Sequence, residues 1–187
     1  MVLFVPPEQS LGKVISLIYF HGAWVWTGIA LFSAAGLTGL AAIFTHRISL
    51  SGWSSALGRA ALCYWLTYLP MSLLLMQLSW NGFFFDEPRW RIPFGFAVVG
   101  CLLQVGLFLV NKPILTAIAN TLFAIALLTG LSSLTSVLHP ESPISQSGSS
   151  LIRILFYLTL LFAAASGFVL TLIWRRLVNR STPEVLP

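Results

Sequence analysis

Apolar residues gather into five long runs along this chain, and nearly all charged residues fall between the runs or near their ends. The runs cover about residues 15–43, 58–79, 92–110, 113–137 and 152–174, each near or above the ~20 residues an α-helix needs to cross a hydrocarbon core. A segment surrounded by lipid must satisfy its own backbone hydrogen bonds, so all five are expected as helices. The pattern predicts an all-α fold, a single polytopic membrane bundle of five transmembrane helices over residues 1–187 with no soluble domain. The first run is longer than a crossing requires. This places its Ile15–Trp26 part in the outer interface, where Tyr19, Trp24 and Trp26 suit an aromatic belt and His21 lies near headgroup level. The short Asn111-Lys112-Pro113 connection makes spans 3 and 4 an antiparallel hairpin. Small residues at Ala35, Gly39 and from Ala163 to Gly167 let spans 1 and 5 approach their neighbours closely, and Pro70 predicts a kink in span 2. Residues 140–150 read as a polar loop and residues 181–187 as a short tail.

Five spans put the termini on opposite sides, and the basic residues choose the orientation. With the C-terminus inside, Arg47, Arg59, Lys112, Arg175, Arg176 and Arg180 flank the inner ends against the single acid Glu184. The outer flanks then hold Lys13, Arg89, Arg91 and Arg153 against Glu8, Asp86, Glu87 and Glu141. Cytoplasmic flanks carry the basic excess, so N-out, C-in in an inner (plasma) membrane is the expected topology. His21, the loop from 80 to 91 and His139 then share the outer face, while His46 lies inside. Residues 1–13 lack a basic region ahead of an apolar one and contain Pro6-Pro7, so no cleavable signal peptide is expected and the first span doubles as the targeting signal.

Composition excludes several functions. The 187 residues are 57% hydrophobic and 8% charged, with a mean hydropathy of +0.90, too few ionisable groups to cover a water-soluble globule. The net charge of +5 comes from residues flanking apolar runs rather than from a basic stripe with interleaved aromatics, so nucleic acid is not an expected partner. Cys63 and Cys101 lie far apart within apolar runs and read as small buried hydrophobes. No Asp, Glu, Lys, Arg or His occupies the middle of a span, so ion-coupled transport lacks its relay. Gln104 and Asn120 are the main polar groups at depth and are expected to hydrogen-bond between helices. No P-loop, nucleophile elbow, HExxH or carboxylate pair is present, and the chain reads as a non-enzyme.

What remains is a pair of histidines. Two neutral imidazoles facing each other form an axial clamp for haem iron, and His21 and His139 fall on one side of the membrane. Between them in sequence runs Trp80-Asn81-Gly82-Phe83-Phe84-Phe85-Asp86-Glu87-Pro88-Arg89-Trp90-Arg91, the densest cluster of rings and charges in the chain. Trp80, Phe84, Phe85 and Trp90 offer a flat apolar shelf, with Arg89 as a cation for a propionate, and an ordinary interfacial belt accounts for the same residues. Arg153, at the outer start of span 5, is a second propionate partner or a lipid-headgroup contact. His46, beside Arg47, reads as an interfacial residue.

The order of these features resembles the cytochrome c assembly family of haem-handling membrane proteins, over about residues 12–176. The family carries a histidine at the head of a span in an I-Y-x-H context, matched by Ile18-Tyr19-Phe20-His21. Its tryptophan-rich external loop, roughly W-G-x-W-W-x-W-D-x-[RK], has a degenerate counterpart in Trp80 through Arg89, with Phe83, Phe84 and Phe85 near places usually held by tryptophan. Its second external histidine follows a later span, as Leu138-His139 follows span 4. Relative to the family's haem exporter members the first of six spans is missing, which agrees with the N-out topology. The resemblance implies a site for b-type haem between the external histidines and the aromatic loop, with cytochrome maturation factors as partners beside the lipid bilayer. An alternative is an accessory subunit of a respiratory or photosynthetic electron-transfer complex, holding a stationary haem or none. A pigment or quinone in the same aromatic pocket is a third reading.

Overall fold

In the computed structural model, which describes residues 14–134 and 149–181, five helices follow one another: α1 (Ile15–Thr45), α2 (Ile48–Trp80), α3 (Pro88–Val110), α4 (Pro113–Ser132) and α5 (Ser150–Ser181). All five are long and apolar enough to cross a membrane, and no strand occurs among the described residues. The protein is an all-α, multi-pass membrane bundle.

Three connections end the preceding helix with a residue in the left-handed region: His46 (φ 54°), Asn81 (φ 54°) and Asn111 (φ 48°). Asparagine tolerates this conformation better than most side chains, and at Asn81 and Asn111 the backbone N–H closes the last turn onto Gln77 O and Leu107 O. Pro88 and Pro113 then open α3 and α4, where a fixed φ is already helical and the missing N–H has no partner to lose.

Neighbouring helices run antiparallel. Ser54 on α2 donates to Ala35 O on α1 (2.8 Å), while farther along α2 Tyr68 lies beside His21, nearer the start of α1. Trp65 on α2 donates to Pro93 O on α3 (3.0 Å), and Gln104 on α3 donates to Asn120 Oδ1 on α4 (2.9 Å). The bundle therefore has a loop end, with the start of α1, the α2–α3 loop and the start of α5, and a turn end, with the α1–α2 and α3–α4 turns. α1 and α2 form the centre: α1 packs on α2, α4 and α5, while α2 contacts all four other helices.

The packing is inverted relative to a water-soluble globule. Buried positions include Ala35, Ser54, Ala56, Ala61, Ala117, Asn120 and Thr171, whereas Leu102, Leu109, Leu122, Phe162 and Phe168 face outward. In lipid, leucine on the surface costs nothing and small residues inside allow close backbone approach. The tightest approach is a polar knot toward the turn end. Asn120 Nδ2 donates to Ser54 O (3.0 Å) and Ser54 Oγ (3.1 Å), and Thr121 Oγ1 donates to Gly36 O (3.0 Å). Gly58 lies against both amides: a Cβ there would meet Gln104 Nε2 at 3.0 Å and Asn120 Oδ1 at 3.1 Å. Gln104 and Asn120 thus hydrogen-bond across helices, as their sequence positions suggest. Asn120→Leu should destabilise the protein by about 2 kcal/mol, because it strips the acceptor from a buried Gln104. Thermal unfolding in detergent reads this directly, and an unchanged midpoint would show the knot to be energetically idle.

Several expectations need correction. Span 2 begins at Ile48 rather than near 58: Ser49, Ser51, Gly52, Ser54 and Ser55 dilute hydropathy in the sequence, yet Ser51, Ser54 and Ser55 are buried in helix packing. Arg59 accordingly sits about three turns into α2 instead of at its mouth. Helix α3 begins at Pro88, so Arg89, Trp90 and Arg91 belong to its first turn rather than to a loop. Helix α4 ends at Ser132, where the Ser132 and Ser133 hydroxyls donate to Thr129 O and Gly130 O (both 2.9 Å); residues 135–137 of the expected span lie outside the described residues. Helix α5, Ser150–Ser181, overruns its expected span at both ends. Tyr19 and Trp24 do not form an outward belt: Tyr19 is fully buried with its ring edge-on to Phe156, and Trp24 Nε1 donates to Thr67 Oγ1 (2.8 Å). Trp26 alone of the three faces outward. Cys63 and Cys101 are free and half-buried.

Candidate functional site

His21 lies in the second turn of α1 at the loop end, half-buried. Its position on the helix is set from two sides. At Gly22 a Cβ would stand 3.3 Å from the Phe156 ring, so α5 closes on that face, while the His21 ring meets Tyr68 of α2 edge-on at 5.7 Å. Its Nδ1 is enclosed by protein.

Tyr68 continues into a chain of aromatic contacts that holds α1, α2 and α3 together. Its ring is edge-on to Trp65 at 4.9 Å, and the Trp65 indole reaches Pro93 O. Trp65 also meets Phe32, which packs against Phe123 of α4 at 4.9 Å. On the other side of α2, Tyr64 lies 4.5 Å from Trp24, and its hydroxyl donates to Ala163 O (2.8 Å) and pairs with Ser166. The small run Ala163–Gly167 is where α5 meets this tyrosine, and a Cβ on Gly167 would come within 3.1 Å of both Leu31 and Thr27. The close approach expected for spans 1 and 5 is therefore present. Tyr64, Trp65 and Tyr68 do this because positions i, i+1 and i+4 of a helix address two neighbouring faces.

The α2–α3 loop gathers its own rings. Trp80 is edge-on to Phe84 at 5.9 Å; Phe83 stacks on Phe85 (6.0 Å, 18°), and Trp90 stacks on Phe94 (4.9 Å, 11°). Phe85 meets Trp90 at 67°, so the two stacked pairs form a corner rather than one flat shelf. Within that corner the roles divide. Phe83 and Phe85 are more than half exposed, whereas Trp90 is buried as an anchor in the first turn of α3. His21 is joined to this corner through Tyr68, Trp65 and Pro93. Arg89 is half-buried beside Trp90, and Arg153 is exposed on the first turn of α5. All of these stand at the loop end. His139, the second expected ligand, lies outside the described residues.

Two polar groups at this corner are buried without partners among the described residues, Glu87 Oε1 and the indole N–H of Trp90, a residue expected from sequence only as an apolar ring. Glu87, read from sequence only as an outer charge, is 4% exposed, and its Oε1 has no hydrogen-bond partner among the described residues. One turn later Trp90 Nε1–H is likewise buried without an acceptor. Glu87 is held in place as the residue preceding α3: its carbonyl accepts from Trp90 N and Arg91 N (both 2.9 Å), and an acid there complements the helix dipole. A buried donor left open costs about 1–3 kcal/mol, so these atoms mark where a further polar group would be welcome. Asp86-Glu87-Pro88, an acid pair before a helix-opening proline, is the signal that could have drawn attention to them.

Among the described residues no group of three or more His, Cys, Asp and Glu comes together. A single imidazole with rings and arginines nearby suits a planar ligand that needs few protein donors. Comparison of the chain with family models, with curated proteins and with solved structures finds no match.

Proposed function

We propose that this protein binds b-type haem at its loop end and handles it for an extracytoplasmic acceptor, in the manner of cytochrome c biogenesis. The observation that carries the reading is the half-buried His21 ring at the loop end: its Nδ1 is enclosed by protein, and the ring meets Tyr68 edge-on. The donor set fits the group. Haem brings an iron with axial sites for imidazole and two propionates that need cations or N–H donors. His21 and His139, the latter from the segment after α4, would be the residues that hold its iron. Trp90 Nε1–H and the Arg89 guanidinium would supply donors to carboxylate oxygens, and Phe84 and Phe85 would cover a ring face. Arg153 adds a cation at the same end. The basic excess at the turn end supports an N-out, C-in orientation in the plasma membrane, which would turn the loop end to the exterior. The family resemblance of His21 and the Trp80–Arg89 loop supports the same assignment.

A second reading is favoured by one observation. The stacked pair Phe83 and Phe85 is exposed to 55% and 53%, the kind of apolar projection that anchors a protein partner. On that reading the protein is an accessory subunit of an electron-transfer complex, with a stationary haem or none. Replacing Phe84 and Phe85 together by alanine separates the two. If the loop shields haem, the variant should lose most of its haem on purification and keep its partners. If the loop docks a partner, co-purifying chains should fall away while haem content stays level. Haem absorbance and the band pattern of the purified complex report both in one preparation.

A further inference from the structure

At the turn end, away from the histidine, Arg59 occupies an unusual place. It lies inside α2, yet its guanidinium carbon is 5.6 Å from the Phe108 ring of α3 and 5.5 Å from the Trp174 ring of α5. α3 and α5 both pack on α2, so Arg59 lies in the groove they form over that helix. Side chains lean toward the N-terminus of their own helix, which for α2 is the turn end, so Arg59 reaches toward the membrane boundary from within the bundle. At the same end of α5, Arg175 stands 5.7 Å from the Trp53 ring and donates to Ser49 O (3.5 Å), and a Cβ on Gly52 would lie 2.7 Å from its Nη1. Lys112, Arg47 and Arg176 complete the end. Among the described residues no acid is present at this end and Arg59 makes no ion pair, since Asp86 and Glu87 both lie at the loop end. The groove walls are apolar and open outward, with Phe108, Leu109 and Leu177 exposed.

We propose that this groove holds the headgroup phosphate of an anionic phospholipid, with Arg59 as its cation. The argument is charge complementarity in a particular shape. Arg59, a cation at membrane depth, requires a counter-charge, and the described residues supply none to it. A lipid phosphate arrives at the right level, and its acyl chains lie naturally along Phe108 and Leu109. Phe108 and Trp174 keep the guanidinium plane from collapsing onto the helix, and Arg offers two parallel N–H donors to one phosphate where Lys would offer a point charge. Basic pockets between transmembrane helices recognise lipid headgroups by this chemistry.

Native mass spectrometry of the full-length protein from mild detergent tests the proposal, with added phosphatidylglycerol compared with phosphatidylcholine of the same acyl chains. Wild type is expected to retain phosphatidylglycerol preferentially. Arg59→Gln should reduce that preference by about fivefold, the factor for removing one membrane-adjacent cation, and Arg59→Lys by less. Arg176→Gln, an exposed arginine outside the groove, should leave it unchanged. Excess inorganic phosphate should not displace the lipid; if it does, and protects the site equally, the ligand is free phosphate and the lipid assignment falls. Equal retention of both lipids by wild type overturns the proposal even if Arg59→Gln does not fold. So does an equal loss in Arg59→Gln and Arg176→Gln, which would reduce the effect to general surface charge.

Discussion

Gly39→Leu is expected to prevent assembly of the bundle or to lower its stability by about 3 kcal/mol or more. A Cβ at this position would stand 2.6 Å from the backbone oxygen of Ala117, 2.8 Å from Thr121 Oγ1 and 3.1 Å from Ser54 Oγ. The first of these is backbone, so relief requires α4 to move away from α1. That movement would open the Thr121–Gly36 bond between α4 and α1 and strain the neighbouring Asn120–Ser54 bonds between α4 and α2. Even Gly39→Ala should be damaging, because the clash arises at Cβ itself. Gly106→Leu is the matched control: nothing lies within 4 Å of a Cβ there, and leucine is a better helix former than glycine. Monodispersity on size-exclusion chromatography and the thermal midpoint distinguish the two variants. Equal behaviour would show that the α1–α4 contact is looser than described.

The five spans were legible because lipid imposes a length and an apolarity that few residues can disguise. Ile15 and Pro113 begin helices where the apolar runs begin. The failures have particular causes. The serines of the segment from 48 to 58 look like a connection when scored for hydropathy, but inside a membrane bundle a serine that bonds a carbonyl across the interface, as Ser54 does to Ala35, is a packing residue. Tyr19 and Trp24 were placed in a lipid-facing belt by residue type alone, and only helical phase shows that they point at α5 and α2. Asn81 and Asn111 end their helices by a backbone conformation that an asparagine before a glycine or a Lys-Pro step signals locally. At the candidate site, His21 and the aromatic cluster could be picked out by type. That Trp90 is an anchor, that Glu87 is buried, and that Tyr68 and Trp65 join His21 to α3 depend on contacts between helices far apart in sequence.

His21→Ala is expected to remove most bound haem. On the proposed reading the iron would lose one of its two imidazoles, and among the described residues no group of three or more His, Cys, Asp and Glu comes together to take its place. The fold should survive, since the ring is only half-buried and its edge contact with Tyr68 is a small part of the α1–α2 interface. His139→Ala should have the same effect through the other axial position. His46 provides the control. It lies at the turn end and serves the chain as a left-handed cap after α1, a role that asparagine fills as well. His46→Asn should therefore keep both fold and haem.

The most direct measurement is the haem bound per protein by pyridine haemochrome, for wild type, His21→Ala, His139→Ala and His46→Asn purified from the same haem-supplied cells. Haem in wild type and His46→Asn, with most of it gone from both alanine variants, is the predicted result; a wild type that carries none, or equal haem in all four, would contradict a histidine-held haem at the loop end.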